Sequence, residues 1–256
     1  MKALDVLGLK KSFGGVTAVE DLTFSVEEFE TVGIIGPNGA GKTTLFNLIT
    51  GLYRPDSGKV LFFGQNLHGV PSFRLAHLGI SRTFQNLRLF NSLTVLQNIT
   101  APMLGMHGYG IAPAIFRTHR YRATERAADK KGRMLLDFFS LSGKEEQLAS
   151  SLPYGDQRRL ELARALSIEP RLLLIDEPGA GMNPREIQDL LRTLRQVKEH
   201  FRLTIVVIEH QMGLIMNLSD RVMAMDFGEK IAEGTPSDVK KDRKVIEAYL
   251  GEELVC

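Results

Sequence analysis

The 256-residue sequence contains one cysteine, Cys256 at its last position, so no internal disulfide and no cysteine metal cluster can form, and redox chemistry is not expected. Long apolar runs are also missing. Nothing approaches the roughly 18 residues of a membrane span, and Met1-Lys2-Ala3-Leu4-Asp5-Val6 lacks the apolar core of a secretory signal. A chain that stays in the cytoplasm is expected. Charge of one sign is scarce as well: 32 basic against 30 acidic side chains leave +2, far short of the concentrated positive field of a nucleic-acid binder. No internal repeat or low-complexity linker interrupts the chain. What is present, with 43% hydrophobic residues, suffices for a substantial core in one large domain or two small ones.

One segment carries specific chemistry. Gly36-Pro37-Asn38-Gly39-Ala40-Gly41-Lys42-Thr43 fits the phosphate-loop pattern G-x-x-x-x-G-K-[ST], and Thr44 follows it. Gly36, Gly39 and Gly41 let successive amide N–H groups wrap a triphosphate, Lys42 supplies positive charge and Thr43 a hydroxyl for Mg²⁺. The flanks agree with that reading. Thr31-Val32-Gly33-Ile34-Ile35 suits a buried parallel strand, and a helix from Lys42 to about Thr50 points its positive dipole end at the same anion.

The remaining pattern predicts an α/β chain. Alternating Ala3–Leu7 and Leu22–Val26, with the Gly14-Gly15 turn between them, and Gly58–Gly64 read as antiparallel strands. From Ser92 to about Leu148 the pattern turns helical and includes a basic stretch from Arg117 to Arg133. That stretch reads first as a solvated helix face, with contact to a partner or to anionic lipid as the alternative. Leu172–Ile175 and Thr204–Ile208 are two more apolar strands between helices, which argues for a parallel sheet covered by helices. A strand pair near Arg221–Met225 and Lys230–Ala232 precedes a charged helix from about Pro236 to Leu250.

Asp176 and Glu177 follow four apolar residues, so they emerge at the C-terminal end of a buried strand, where ligands of open α/β sheets collect. Asp176 suits the metal shell and Glu177 the attacking water, the alternative being a pair of helix caps. His210 leaves the strand Thr204–Ile208 at the same edge, placed to contact a terminal phosphate. Leu152-Pro153-Tyr154-Gly155-Asp156-Gln157 runs into an amphipathic helix whose start is a second possible anion site.

That segment, followed by Leu174-Ile175-Asp176-Glu177-Pro178, resembles the signature and second acidic motifs of ABC-type ATPases, and the landmarks of that family come in order over nearly the whole chain. The resemblance implies an ABC-type phosphate-loop ATPase with a mostly parallel core sheet, an antiparallel β subdomain and a helical subdomain. Its single domain, 1–256, would place the core and β part at about 1–90 and 165–235, the helical subdomain at about 91–164 and a helical tail at about 236–256. By the same resemblance Phe13 stacks on adenine, an aromatic cover for the sheet being the other reading. Gln85 links the metal to the transporter contact, residues 152–157 form the signature, 179–183 the loop between subunits, and His210 is the switch histidine. The signature departs from the commoner Leu-Ser-Gly-Gly-Gln: Pro153 and Tyr154 replace serine and glycine, Asp156 takes the glutamine position, and Asn183 replaces the usual aspartate of the inter-subunit loop.

Those departures, together with Ser81–Phe90, the helical insertion after Gln85 and Pro178–Pro184, resemble the first ATP-binding subunit of branched-chain amino acid importers; amide and urea importers share parts of the pattern. What this implies is an ATPase powering an inner-membrane importer, with ATP and Mg²⁺ as ligands and Glu177, His210 and Gln85 in the hydrolytic step. Two cassettes, identical or related, would pair head to tail around ATP. Separate transmembrane permease subunits would dock near Gln85, a solute-binding protein would act indirectly, and no nucleic acid is involved. A soluble ABC-type ATPase acting on DNA or ribosomes is the rival class, yet the chain has neither long coiled-coil heptads nor a second phosphate loop. A nucleotide sensor that does not hydrolyse is disfavoured by Glu177 and His210.

Overall fold

A computed structural model describes residues 1–106 and 119–253; Arg117 and Cys256 lie outside the described residues. In chain order the strands are β1 (Lys2–Phe13), β2 (Val16–Glu27), β3 (Thr31–Ile35), β4 (Ser57–Phe62), β5 (Gln65–Asn66), β6 (Ile80–Arg82), β7 (Leu172–Asp176), β8 (Thr204–Ile208), β9 (Arg221–Asp226) and β10 (Glu229–Gly234). The helices are α1 (Lys42–Ile49), α2 (Ser72–Leu78), α3 (Val95–Met106), α4 (His119–Phe138), α5 (Tyr154–Leu166), α6 (Pro184–Phe201), α7 (Met212–Leu218), α8 (Pro236–Lys241) and α9 (Arg243–Glu253). The chain divides into two compact units, residues 1–75 with 171–256 and residues 76–170. The second unit extends beyond 91–164 at both ends.

In the first unit β3, β7 and β8 are short runs in which every residue is buried. Residues apolar on both faces fit a strand covered on both sides, which parallel sheets provide. The order β10-β9-β3-β8-β7 follows, with β3 parallel to both β8 and β9, β7 parallel to β8, and β10 antiparallel to β9. The register pairs Ile34 with Ile208 and Asp176 with Ile208, so β3, β8 and β7 end side by side. The second sheet of this unit is antiparallel, in the order β2-β1-β4-β5. Strands β1 and β2 run longer than the alternating stretches expected at 3–7 and 22–26, because register shifts between Lys2 and Ser12 keep them paired past the breaks in alternation.

Helix α6 shows how local sequence sets an element. Asn183 accepts hydrogen bonds from the Arg185 and Glu186 N–H groups while Glu186 accepts from the Asn183 N–H, a reciprocal cap with Pro184 as first residue. Buried Ile187, Leu190, Leu191, Leu194 and Val197 then form its core stripe. The C-terminal helix expected as one piece from Pro236 is two. Asp242 is extended, and its Oδ1 accepts from the Lys244 N–H at 2.8 Å, so this short carboxylate ends α8 and caps α9.

The unit 76–170 is mainly helical. Asn98, fully buried on α3, donates to the Phe90, Leu93 and Thr94 carbonyls and accepts from the Phe90 N–H, pinning the segment that leads from Gln85 into the helices.

Candidate active site

Three parallel strands ending together bring the phosphate loop, the acidic pair and His210 to one edge of the first unit. The loop leaves β3 at Gly36. A side chain there would put Cβ 2.1 Å from the Met225 carbonyl oxygen, and at Gly41, where φ is +94°, 2.2 Å from that of Ala18. Both contacts are with backbone, which cannot rotate away, so only glycine fits. Pro37 and Ala40 are buried, while Asn38 and Gly39 are exposed. Lys42 is 5% exposed and donates to the Gly36 and Pro37 carbonyls at 2.6 and 2.7 Å, which holds its ammonium inside the loop. Thr43 is exposed at the start of α1 and Thr44 half-buried. Loop N–H groups, a helix N-terminus and a lysine together make an anion site.

Asp176 ends β7 and is 4% exposed. Glu177 comes next with φ of +46°, a left-handed conformation that costs a residue with a Cβ about 1–2 kcal/mol. Strain of this kind persists where the surroundings enforce it. Here the Glu177 N–H donates to the Ile208 carbonyl at 2.9 Å, and the His210 Nε2–H donates to Glu177 Oε1 at 2.6 Å. The carboxylate can only accept, which assigns the proton to Nε2. The two candidate catalytic side chains therefore form one hydrogen-bonded pair.

Glu209 belongs to none of the motifs legible in the sequence. It is 2% exposed, and its carboxylate accepts from the Gly179, His210 and Gln211 N–H groups at 2.9, 2.9 and 3.1 Å, while Gln211 Nε2 donates to the Gly179 carbonyl. One buried acid thus ties the segment carrying Glu177 to the one carrying His210. Its sequence signal is a carboxylate directly after a buried strand, the pattern that marks Asp176. Phe13, at the β1–β2 hairpin, is 42% exposed and meets Tyr53 edge-on at 5.1 Å.

In the unit 76–170, Pro153 precedes α5 and its carbonyl accepts from the Asp156 and Gln157 N–H groups, both at 3.0 Å. Leu152 is buried, with its carbonyl bonded to Gln157 Nε2 at 2.8 Å; Tyr154 is 47% exposed, and Gly155 faces open space. Asp156 pairs with Lys144 and Arg159. Arg158 and Glu161, on the same helix, escape sequence reasoning because charges inside an amphipathic pattern read as surface. They are 7% and 2% exposed. The Arg158 guanidinium donates to the Gln85 carbonyl at 2.8 Å, to Tyr154 Oη at 2.9 Å and to Glu161 Oε2 at 3.3 Å, so it fastens the Gln85 segment to the helix that begins with the signature residues. Burial pushes the Glu161 carboxyl above its usual range, against the opposing pull of Arg158. Burial lowers Arg164 in turn, and the charge of Glu161 resists that.

A loop that wraps anions, beside two carboxylates and an imidazole, has the positioning and charge groups on which phosphoryl transfer depends. The fold matches that chemistry: an ATP-binding cassette of an ABC transporter, MJ1267 in its ADP conformation, superposes with a TM-score of 0.84 at 32% identity, over 98% of this chain and 99% of that one. An ATP-binding cassette is the class so defined. A family model described as ABC transporter matches residues 19–180, and the chain belongs to that family, whose cassettes are ATPases that bind nucleotide. A second model, described as branched-chain amino acid ATP-binding cassette transporter, matches residues 229–255. The chain is similar to the high-affinity branched-chain amino acid transport ATP-binding proteins BraF of Pseudomonas aeruginosa and LivG of Escherichia coli K12. It is 39% and 40% identical to them, each over 97% of this chain and 98% of the relative.

Proposed function

We propose that this chain is the ATP-hydrolysing subunit of an importer for leucine, isoleucine and valine, bound peripherally at the cytoplasmic face of the membrane. The observation that carries the ATPase reading is the Glu177–His210 pair, held at 2.6 Å at the sheet edge where the phosphate loop also emerges. The names of the full-length relatives and the match over 229–255 support the solute class. Among the described residues no helix is long and apolar enough to cross a membrane. In this reading the solute path belongs to separate permease subunits.

In this reading Lys42 and backbone amides within 38–44 hold the β- and γ-phosphates, and Glu177 orients the attacking water while His210 fixes that carboxylate and reaches the terminal phosphate. Phe13 covers the adenine. Residues 152–157 approach the same phosphate from a second cassette, identical or related, so that ATP joins the pair and hydrolysis loosens it. The donors available for Mg²⁺ fit a hard cation: the exposed Thr43 hydroxyl and the Asp176 carboxylate are oxygen ligands, and Mg²⁺ is commonly held by one or two carboxylates plus phosphates. Bound Mg²⁺ supplies neutralisation of phosphate charge.

The test is purification from the native membrane followed by reconstitution. The expected result is copurification with integral membrane proteins and ATP-dependent uptake of all three branched-chain amino acids. Copurification with no membrane protein refutes the transport role; uptake confined to amides or urea refutes the solute assignment.

A further inference from the structure

We infer that the C-terminal segment 225–249 is a positioning element for the phosphate loop, with Tyr249 as its principal contact. Gly36 is buried, and its N–H donates to Tyr249 Oη at 2.9 Å, across 213 positions of sequence. A buried backbone donor needs an acceptor, and here a side chain of the last helix supplies it. Two further contacts come from the same segment. The Gly228 N–H, in the β9–β10 turn, donates to the Ala40 carbonyl at 3.2 Å, and the Met225 carbonyl lies so close to Gly36 that no Cβ fits between them. The loop is therefore gripped at Gly36 and Ala40, the first residue and the one before Gly41-Lys42.

Helix α9 can hold Tyr249 in place. Its start is capped by Asp242, and Val245, four residues before Tyr249 and so on the same helix face, is 2% exposed. Removing the hydroxyl leaves the Gly36 N–H without this acceptor and lets the loop leave its binding-competent shape. Nucleotide affinity falls by the fraction of time spent elsewhere. The coupling is reciprocal, so nucleotide in the loop steadies α9.

This inference rests on the reading that 36–44 holds the nucleotide. Tyr249→Phe keeps the ring and deletes the hydroxyl. In the full-length chain the variant is expected to bind ADP about fivefold more weakly, the size of one lost hydrogen bond. Its KM for ATP rises to match, while kcat at saturating ATP holds within about twofold. ADP should also slow amide exchange across 243–253 in the parent and not in the variant. Unchanged ADP affinity and KM overturn the inference, and so does a fall in kcat at constant KM, which is what a smaller folded fraction produces. A parent chain that binds no ADP overturns the phosphate-loop reading itself, and this inference with it.

Discussion

Replacing Arg158 by methionine probes the buried network that joins the Gln85 segment to α5. The side chain keeps most of its length and loses every donor. Three hydrogen bonds of the guanidinium are 3.1 Å or shorter, two to Tyr154 Oη and one to the Gln85 carbonyl, and Glu161 lies at 3.3 Å. Summing bonds to a charged group at about 1.5–3 kcal/mol each gives an overestimate, because deleting the arginine also removes the cost of burying it. The relevant figure is that for stranding one partner of a buried pair, about 3–5 kcal/mol. Glu161 is 2% exposed and would keep a long hydrogen bond of 3.4 Å from the Arg88 N–H and the attraction of the Arg164 charge.

The pH dependence comes from the sign of the Glu161 shift. Burial already raises this carboxyl, and loss of Arg158 removes the leading opposing influence. A carboxyl whose pKa is raised in the folded state costs nothing while protonated, below its unfolded value near 4.3, and costs progressively more as pH rises toward the folded pKa. Urea titrations followed by circular dichroism should therefore show a larger loss at pH 8 than at pH 5. Arg158→Met combined with Glu161→Gln should recover roughly half the loss and flatten the pH difference. A loss below about 1 kcal/mol, or one equal at the two pH values, refutes the argument that this pair acts as a buried, mutually dependent unit.

Three other substitutions test the remaining assignments. Glu177→Gln should keep ATP binding and lower turnover by about 10²–10⁴, since it removes the negative charge that polarises water and keeps the shape; a turnover equal to the parent's refutes the role. Asn183→Ala removes both accepted N–H bonds at the start of α6 and should cost about 1 kcal/mol in thermal or urea melts, whereas Asn183→Asp should be close to neutral. Gly155→Ala adds a methyl that meets nothing within 4 Å, so it should leave stability unchanged or raise it by about 0.5 kcal/mol; if another cassette approaches this surface, steady-state ATPase activity falls while melting does not.

How much is legible in the sequence differs between elements. The phosphate loop, Asp176, Glu177 and His210 can be placed because each comes after a short run of apolar residues, and a strand buried on both faces delivers the residues beyond its end to one sheet edge. The break at Asp242 is hidden because a charged helix with few apolar anchors has no periodicity to lose. Arg158 and Glu161 are hidden for a related reason: three positions apart on a helix, opposite charges look the same whether they face water or a neighbouring segment.

Composition, local spacing and hydrophobic period, by themselves, determined the α/β class, the loop chemistry and the order of the motifs, because each depends on residues close together in the chain. Only the tertiary structure decided that Glu177 pairs with His210, that Glu209 gathers three backbone donors from two loops, and that Tyr249 meets Gly36. The Glu177–His210, Glu209–Gly179 and Tyr249–Gly36 contacts join groups tens to hundreds of residues apart, and no local preference encodes them. They come from strand order, and from the need of buried polar groups for partners wherever the fold supplies them.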